Sequence, residues 1–559
     1  MADNDIRPES PPPDPPLAWT DHNKEQQPEH KTSPKTTSLG PTVSDSSEEV
    51  EWRYLSWETL LPVPAFNAAA PPQPDLPCPS CYEQYVSPFE WSNHRKNFIT
   101  WLSCAATAVT AYTAGAYTSA DQQMMAYWGV SKLAITVGVT VFTTGFAIAP
   151  MVLAPFSEIN GRRPVFVVTG ALFVAMQLCC ALTPTFAGML IARFLAGCFS
   201  STFSTMVGGV VADIYHAEDR NTAMALFSGA ALAATGMGPF VSGFIAAHLA
   251  WRWVFYLQVI TCGTMMLAIV LFFKETRGSV LLSKKAAALN SFYDALERLG
   301  IVGVRDQDPS DQIPVRRIRW KVKSDEERAS IGRMISISLY RPFHLLVTEP
   351  TVFFFSLWVS FSWIILYLTF AAIPLVFSSL YNFTPSQSGA VFASLSIGAL
   401  LSTIIAISLD PLIRRRRPHL IQTPEGRLWS PCLQSALLPI GLFWFGLSST
   451  HSVPWPVPAA AVVCATMGIF SIYLAVFNYL ADTYGRYASS ALAAQSFSRN
   501  LLAGLLALAV EPMYRDLGFR AASCLLGGVG LLLTAVPFVL LLYGPRIRAR
   551  SRLASEVKD

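Results

Sequence analysis

Apolar residues in this chain gather into runs of about 20, the length a helix needs to cross the hydrocarbon core of a bilayer. Six such runs come first: Phe98 to Tyr117, Leu133 to Phe156, Val165 to Leu182, Met189 to Ile214, Phe227 to Ala247 and Val254 to Phe273. A hydrophilic segment follows, from Lys274 to about His344. Six more runs resume at Val352 to Phe377, Ser388 to Leu409, Ser430 to Leu447, Val457 to Leu480, Ser489 to Val510 and Ala521 to Tyr543. The pattern predicts an all-α membrane protein of twelve spans, six on either side of a polar middle. Two packed halves with a substrate between them near the midplane would produce it. The expected layout is a tail over 1–90, a first bundle over 91–274, a linker over 275–347, a second bundle over 348–543 and a tail over 544–559.

The fifth run organises the rest. Ala230, Ala234, Gly238, Ser242 and Ala246 recur every four residues and stack on one helix face; Ala231, Thr235, Pro239, Gly243 and Ala247 form a second small-residue ridge. Small residues at this spacing let another helix backbone approach closely. Pro239 between glycines removes a backbone hydrogen bond and marks a bend. Residues before about Ser87 are rich in Pro, Ser, Thr, Glu and Asp, a composition that cannot bury enough apolar surface to fold. Trp52 to Leu61, WRYLSWETLL, is the local exception and reads either as a short surface helix or as tail with chance aromatics. Trp91, His94, Arg95 and Lys96 suit anchoring at the membrane interface.

With 52% hydrophobic and 14% charged residues in a chain of 559, a soluble protein is excluded. The ten cysteines mostly sit in apolar runs as small hydrophobes. Cys78 and Cys81 have C-x-x-C spacing without a second pair, so no metal site is expected. The N-terminus lacks a basic region followed by an apolar core, and no cleaved signal is expected. Arg162, Arg163, the middle segment, Arg414 to Arg417, Arg486 and the final arginines all fall on one side of the alternation. The positive-inside rule then puts both termini and the linker in the cytoplasm. Asn382-Phe383-Thr384 is a glycosylation sequon on the other side. The turn after the second span has Glu158 four residues before Arg162-Arg163, and the turn after the eighth has Asp410 before Arg414-Arg415, an echo that fits a duplicated unit.

Four stretches carry candidate chemistry. Ala154 to Pro164, APFSEINGRRP, has a glycine for a sharp turn and opposite charges at neighbouring helix ends. Arg193, in LIARFLAG, lies within a span at a cost of roughly 2.5–3.5 kcal/mol, so it should face the bundle interior or water. Gly238 to Gly243, GPFVSG, is the third. The last is the scarce set of acids at span ends, Asp121 and Glu349, where a carboxylate could change its pKa between two access states. Tyr112, Tyr117, Gln177, Gln258, Trp363, Tyr367, Asn478 and Gln495 are expected to line an aromatic, weakly polar cavity.

Together these stretches resemble the major facilitator superfamily in its fungal twelve-span drug:proton antiporter form, from about Trp91 to Tyr543. PFSEINGRRPVF resembles the family's loop between helices two and three, with Ala154 for its opening glycine and Ile159 for its basic residue. LIARFLAG resembles its fourth-helix motif, with Ala196 for the usual glutamine. GPFVSG resembles its antiporter motif, with Ser242 for one glycine. The resemblance implies two rocking six-helix bundles, a gate brace at Glu158, Gly161, Arg162 and Arg163, proton coupling through Arg193, and leak-tight packing around Ala234, Gly238, Pro239 and Gly243. It implies no enzyme and no cofactor beyond a proton gradient. The expected function is proton-coupled efflux of hydrophobic or cationic small organic molecules (drugs, toxins or polyamines). A monomer in the plasma rather than vacuolar membrane, without nucleic acid, is expected. A nutrient importer on the same fold and a membrane ligand sensor stay as alternatives. No phosphate-binding G-x-x-x-x-G-K-[ST] is present, which argues against ATP-driven pumping.

Overall fold

The computed structural model describes residues 50–61, 63–64, 85–216, 219–298, 304–305, 316–326, 331–416, 424–484 and 488–550. Cys78 and Cys81 lie outside them. Each apolar run is a helix, because a backbone crossing lipid must satisfy its own hydrogen bonds. The membrane helices are α1 Asn93–Ala116, α2 Lys132–Asn160, α3 Arg162–Leu182, α4 Phe186–Ile214, α5 Arg220–His248 and α6 Arg252–Phe272, then α7 Pro350–Tyr381, α8 Pro385–Ile413, α9 Trp429–Ser448, α10 Pro456–Tyr484, α11 Ala488–Ala507 and α12 Val510–Gly544. Ten of them are apolar enough to span by composition; α1 and α11 carry more polar residues and turn many of them inward.

Helix packing repeats with a shift of six. In the first half α1 packs on α5, α2 on α4 and α3 on α6; in the second α7 packs on α11, α8 on α10 and α9 on α12. The halves meet where α5 crosses α8 and where α2 crosses α11, a pair of contacts that the same shift exchanges. The echo between the two basic turns is thus a repeat of whole bundles. Helices α7 and α10 are the most enclosed, with 78% of their apolar window buried, whereas α6 and α12, at 28%, face outward.

The small-residue helix α5 is wedged between α1 and α8. A methyl added at Gly238 would overlap the Tyr112 carbonyl oxygen and sit 2.9 Å from the Ala116 nitrogen, so α1 lies backbone to backbone against it. Toward α8, a Cβ at Gly243 would lie 3.1 Å from the Cα of Gly389, and Ser396 Oγ donates to the Ala233 carbonyl at 2.7 Å. At the second crossing Thr140 Oγ1 donates to the Gly504 carbonyl at 2.8 Å.

One expectation is corrected. The stretch starting at Trp52 is neither surface helix nor loose tail: β1, Glu51–Tyr54, pairs in parallel with β2, Ile318–Lys321, from the linker. Leu55 packs with Leu289, Phe292, Tyr293 and Trp320 on the linker helix Gly278–Arg298. The expected tail over 1–90 is therefore partly ordered, and the reason is non-local: the strand's backbone and Leu55 just after it find their partners some 265 residues away. Arg317 and Arg319 hold the Glu297 carboxyl below its usual range, and Tyr54 donates to Glu326. Replacing Leu55 with Asp should break this small core, at a cost of about 2–5 kcal/mol. Limited proteolysis should then cut the linker faster than in the wild type; an unchanged digestion pattern would contradict the packing.

Candidate functional site

At the basic end, Gly161 joins α2 to α3 with φ 98°, a conformation glycine adopts without strain, and a Cβ there would come within 2.8 Å of Glu275 Cδ. The turn brings the first α3 amides to that carboxylate. The backbone N–H groups of Arg162 and Arg163 donate to Glu275 at 2.9 and 3.1 Å, and those of Thr276 and Arg277 at 3.0 and 2.9 Å. A carboxylate against a helix N-terminus is favoured by both the free amides and the helix dipole. The Arg162 side chain is buried and binds Asp213 through Nε at 3.2 Å, while Arg277 reaches the other Asp213 oxygen at 3.1 Å. Of the expected brace, Glu158 stands 3.9 Å from Arg162, and Arg163 turns outward to the Val270 carbonyl. Asp213 and Glu275 are therefore the partners that the sequence reading misses.

The halves touch at this end through Asn221 of α5, which donates to Asp410 of α8 at 2.8 Å and accepts from Asn478 of α10 at 3.1 Å. These groups line a vestibule of about 580 Å³ together with Glu158, Arg162 and Asp213. At the opposite end a second vestibule of about 600 Å³ lies between α2, α5, α7, α8, the end of α11 and the segment that follows α1, and reaches Asp121, Lys132 and Tyr367.

Between the two lies a plug of buried side chains. Arg193 of α4 is wholly buried, with its guanidinium 4.4 Å from the Tyr117 ring centre and 4.3 Å from that of Phe142. Its Nε donates to the Gly138 carbonyl at 3.3 Å, and Nη1 and Nη2 have no hydrogen-bond partner among the described residues. From the other half comes Arg499 of α11, 1% exposed, 4.3 Å from the Trp363 ring centre and 4.9 Å from that of Tyr473. Its Nε and Nη1 are likewise unpartnered. Trp363 and Tyr473 stack at 4.9 Å, and Tyr367 lies within electrostatic reach of both guanidinium groups. Arg499 is the other residue that sequence reading misses, although an arginine inside an apolar span is the same signal that marks Arg193.

The other candidates scatter. Asp121 starts the short helix Asp121–Trp128 beyond α1, with one carboxyl oxygen sealed and unpartnered; burial pushes it up to about 7, against the pull of Lys132. Tyr117 lies within electrostatic reach of both Arg193 and Asp121. Glu349 is buried at the head of α7, at the basic end, and accepts from the Tyr484 hydroxyl at 3.2 Å. The Tyr112 hydroxyl lies 3.3 Å from Ser242 Oγ. Gln177, Gln258 and Gln495 are fully buried with both amide atoms unpartnered among the described residues; Gln495 sits one turn before Arg499. Asn382 is exposed in a left-handed cap with φ 54°, and Thr384 of its sequon caps the helix that follows.

The family model "Major Facilitator Superfamily" matches residues 99–508. The MFS transporter paaT of Penicillium rubens is 31% identical over 84% of this chain and 82% of its own length. Efflux pump FUBT of Fusarium oxysporum is 30% identical over 82% of this chain and 74% of its own. Among solved structures, the proton:xylose symporter XylE shares the fold with a TM-score of 0.57 at 13% identity, covering 81% of this chain and 97% of that one.

Proposed function

This chain belongs to the major facilitator superfamily, is a multi-pass membrane transporter and not an enzyme, and from that premise we propose that it exports small organic molecules across the plasma membrane in exchange for protons. The observation that carries the reading is the pair of vestibules on opposite ends of one buried plug, the arrangement that alternating access requires. The basic end faces the cytoplasm in this reading, on the distribution of arginines. Efflux pumps among the relatives favour export over import.

Asp121 is the proton-binding group in this scheme. Its carboxyl opens to the outer vestibule and changes charge near neutral pH, so external acid loads it and the cytoplasm unloads it. Glu158, Arg162 and Arg163 act with Asp213 and Glu275 to hold the basic end in one arrangement. The helix containing Ala234, Gly238, Pro239 and Gly243 seals the joint between halves.

The test uses proteoliposomes with an imposed pH gradient and a panel of dyes, azoles, polyamines and aromatic acids. Flux should collapse with the gradient and reverse when the gradient is reversed. Asp121→Asn should lower gradient-driven flux by about tenfold or more, as expected when a group that binds its proton only in one state is removed, while substrate–substrate exchange persists. Flux indifferent to the gradient would end the antiport reading, and Asp121→Asn with full gradient-driven flux would end the residue's role. A stability signature accompanies it. The folded-state pKa is raised from 3.8 to about 7, so stability falls as pH rises between those values, while the unfolded carboxyl is ionised and the folded one still protonated, and the loss is complete above about 7. The melting temperature of Asp121→Asn should therefore exceed that of the wild type increasingly from about pH 5 to about pH 7.

A further inference from the structure

We propose that the plug between the vestibules is a binding site for the carboxylate of an aromatic organic acid, held by Arg193 from one half and Arg499 from the other. The proposal rests on the transport reading and names its substrate class. Two guanidinium groups, each at least 99% buried, carry four N–H-bearing nitrogens between them without a hydrogen-bond partner among the described residues. Neither is paired with a carboxylate among those residues. A buried, unpaired charge is costly, and stacking on an aromatic face offsets only part of that cost. The missing anion is the natural complement: guanidinium donors match a carboxylate in geometry as well as charge.

The surroundings say what the anion is attached to. Tyr117 and Phe142 wall one arginine, and Trp363 and Tyr473 wall the other, so the space beside each charge is flat and aromatic. Gln495, on the same face of α11 as Arg499, adds a free amide for a polar ring substituent. The plug adjoins both vestibules. Tyr367 borders the outer vestibule, and Phe477, whose ring centre lies 4.7 Å from that of Tyr473, borders the inner one. Because the two arginines belong to different bundles, an anion that both hold would be released as the halves separate. An organic cation would meet two like charges there and is disfavoured.

Three probes of one shape separate charge from size: 1-naphthoate, 1-naphthamide and 1-naphthylmethylammonium, titrated against the purified full chain in detergent and read by tryptophan quenching and calorimetry. Naphthoate should bind roughly 10- to 100-fold more tightly than the amide, the range a charged hydrogen bond confers. Arg193→Gln and Arg499→Gln should each erase that preference while leaving naphthamide binding in place. Thermal melts report folding, and Arg499→Lys, which keeps the charge but not the flat fork, should retain the preference at lower affinity. Failure of naphthoate to bind, equal binding of the three probes, or an undiminished preference in both glutamine variants would overturn the assignment. Competition by inorganic phosphate as effective as naphthoate would also overturn it, since the aromatic walls would then play no part. No pH gradient is imposed, so naphthoate binding is read independently of proton coupling, which the flux measurement tests alone.

Discussion

Leucine in place of Gly238 is expected to reduce transport by at least about tenfold and to cut the yield of monodisperse protein, since overpacking costs typically 1–3 kcal/mol even where side chains can move. Here the obstacle is backbone: the first carbon of the new side chain already overlaps the Tyr112 carbonyl oxygen and lies 3.2 Å from the carbonyl carbon of Gly115. Helix α1 cannot yield locally, because on its other faces it packs against α4 and α6. Opening the α1–α5 crossing displaces α5 from α8, and with it the seam between the halves. Gly263, on α6, supplies the control, since no atom lies within 4 Å of a Cβ built there and leucine should be tolerated. Size-exclusion profiles and exchange flux for the two variants, side by side, check the claim. Equal behaviour of the two would remove the close crossing from the account of how the protein works.

The second large effect is expected at Asp213. Removing its carboxylate with alanine leaves Arg162 buried against Ser157, with Glu158 3.9 Å away. Breaking a buried ion pair from one side costs about 3–5 kcal/mol, because the remaining charge is stranded. Arg277, a third exposed, can turn to water; Arg162 cannot. A melting temperature several degrees lower should follow. The double variant Arg162→Gln with Asp213→Asn should recover part of the loss, since it strands no charge. If Asp213→Ala melted like the wild type, the brace would be ornamental.

The fold is legible because lipid imposes one requirement on every span, and an apolar run of the right length satisfies it only as a helix. The helix around Gly238 is legible for a related reason: four-residue spacing of small side chains has few uses besides close crossing, and α5 is crossed closely on two faces. The turn at Gly161 is visible in its glycine and arginines. The partners of those arginines are not, since Asp213 and Glu275 lie 51 and 113 positions away and reach them only through tertiary packing. Arg499 hides in a helix whose serines and alanines read as mild polarity, although its charge in a span deserves the attention given to Arg193. Of the cavity expectations, Tyr367 and Asn478 border the vestibules, and Tyr117 and Trp363 wall the arginines. Gln177 and Gln258 are buried away from both vestibules. Alternation in WRYLSWETLL is too short to separate strand from helix by period alone.

The pairing of β1 with β2 sets an order of events during synthesis. Lys321 leaves the ribosome 267 residues after Tyr54, which at about 5–20 residues per second is a delay of roughly 13–50 s. Through that interval six helices enter the membrane while the β1 backbone and Leu55 wait without their partner. A nascent chain of this protein therefore carries an uncapped, sticky ribbon at its front, and chaperone demand should fall sharply once the linker emerges.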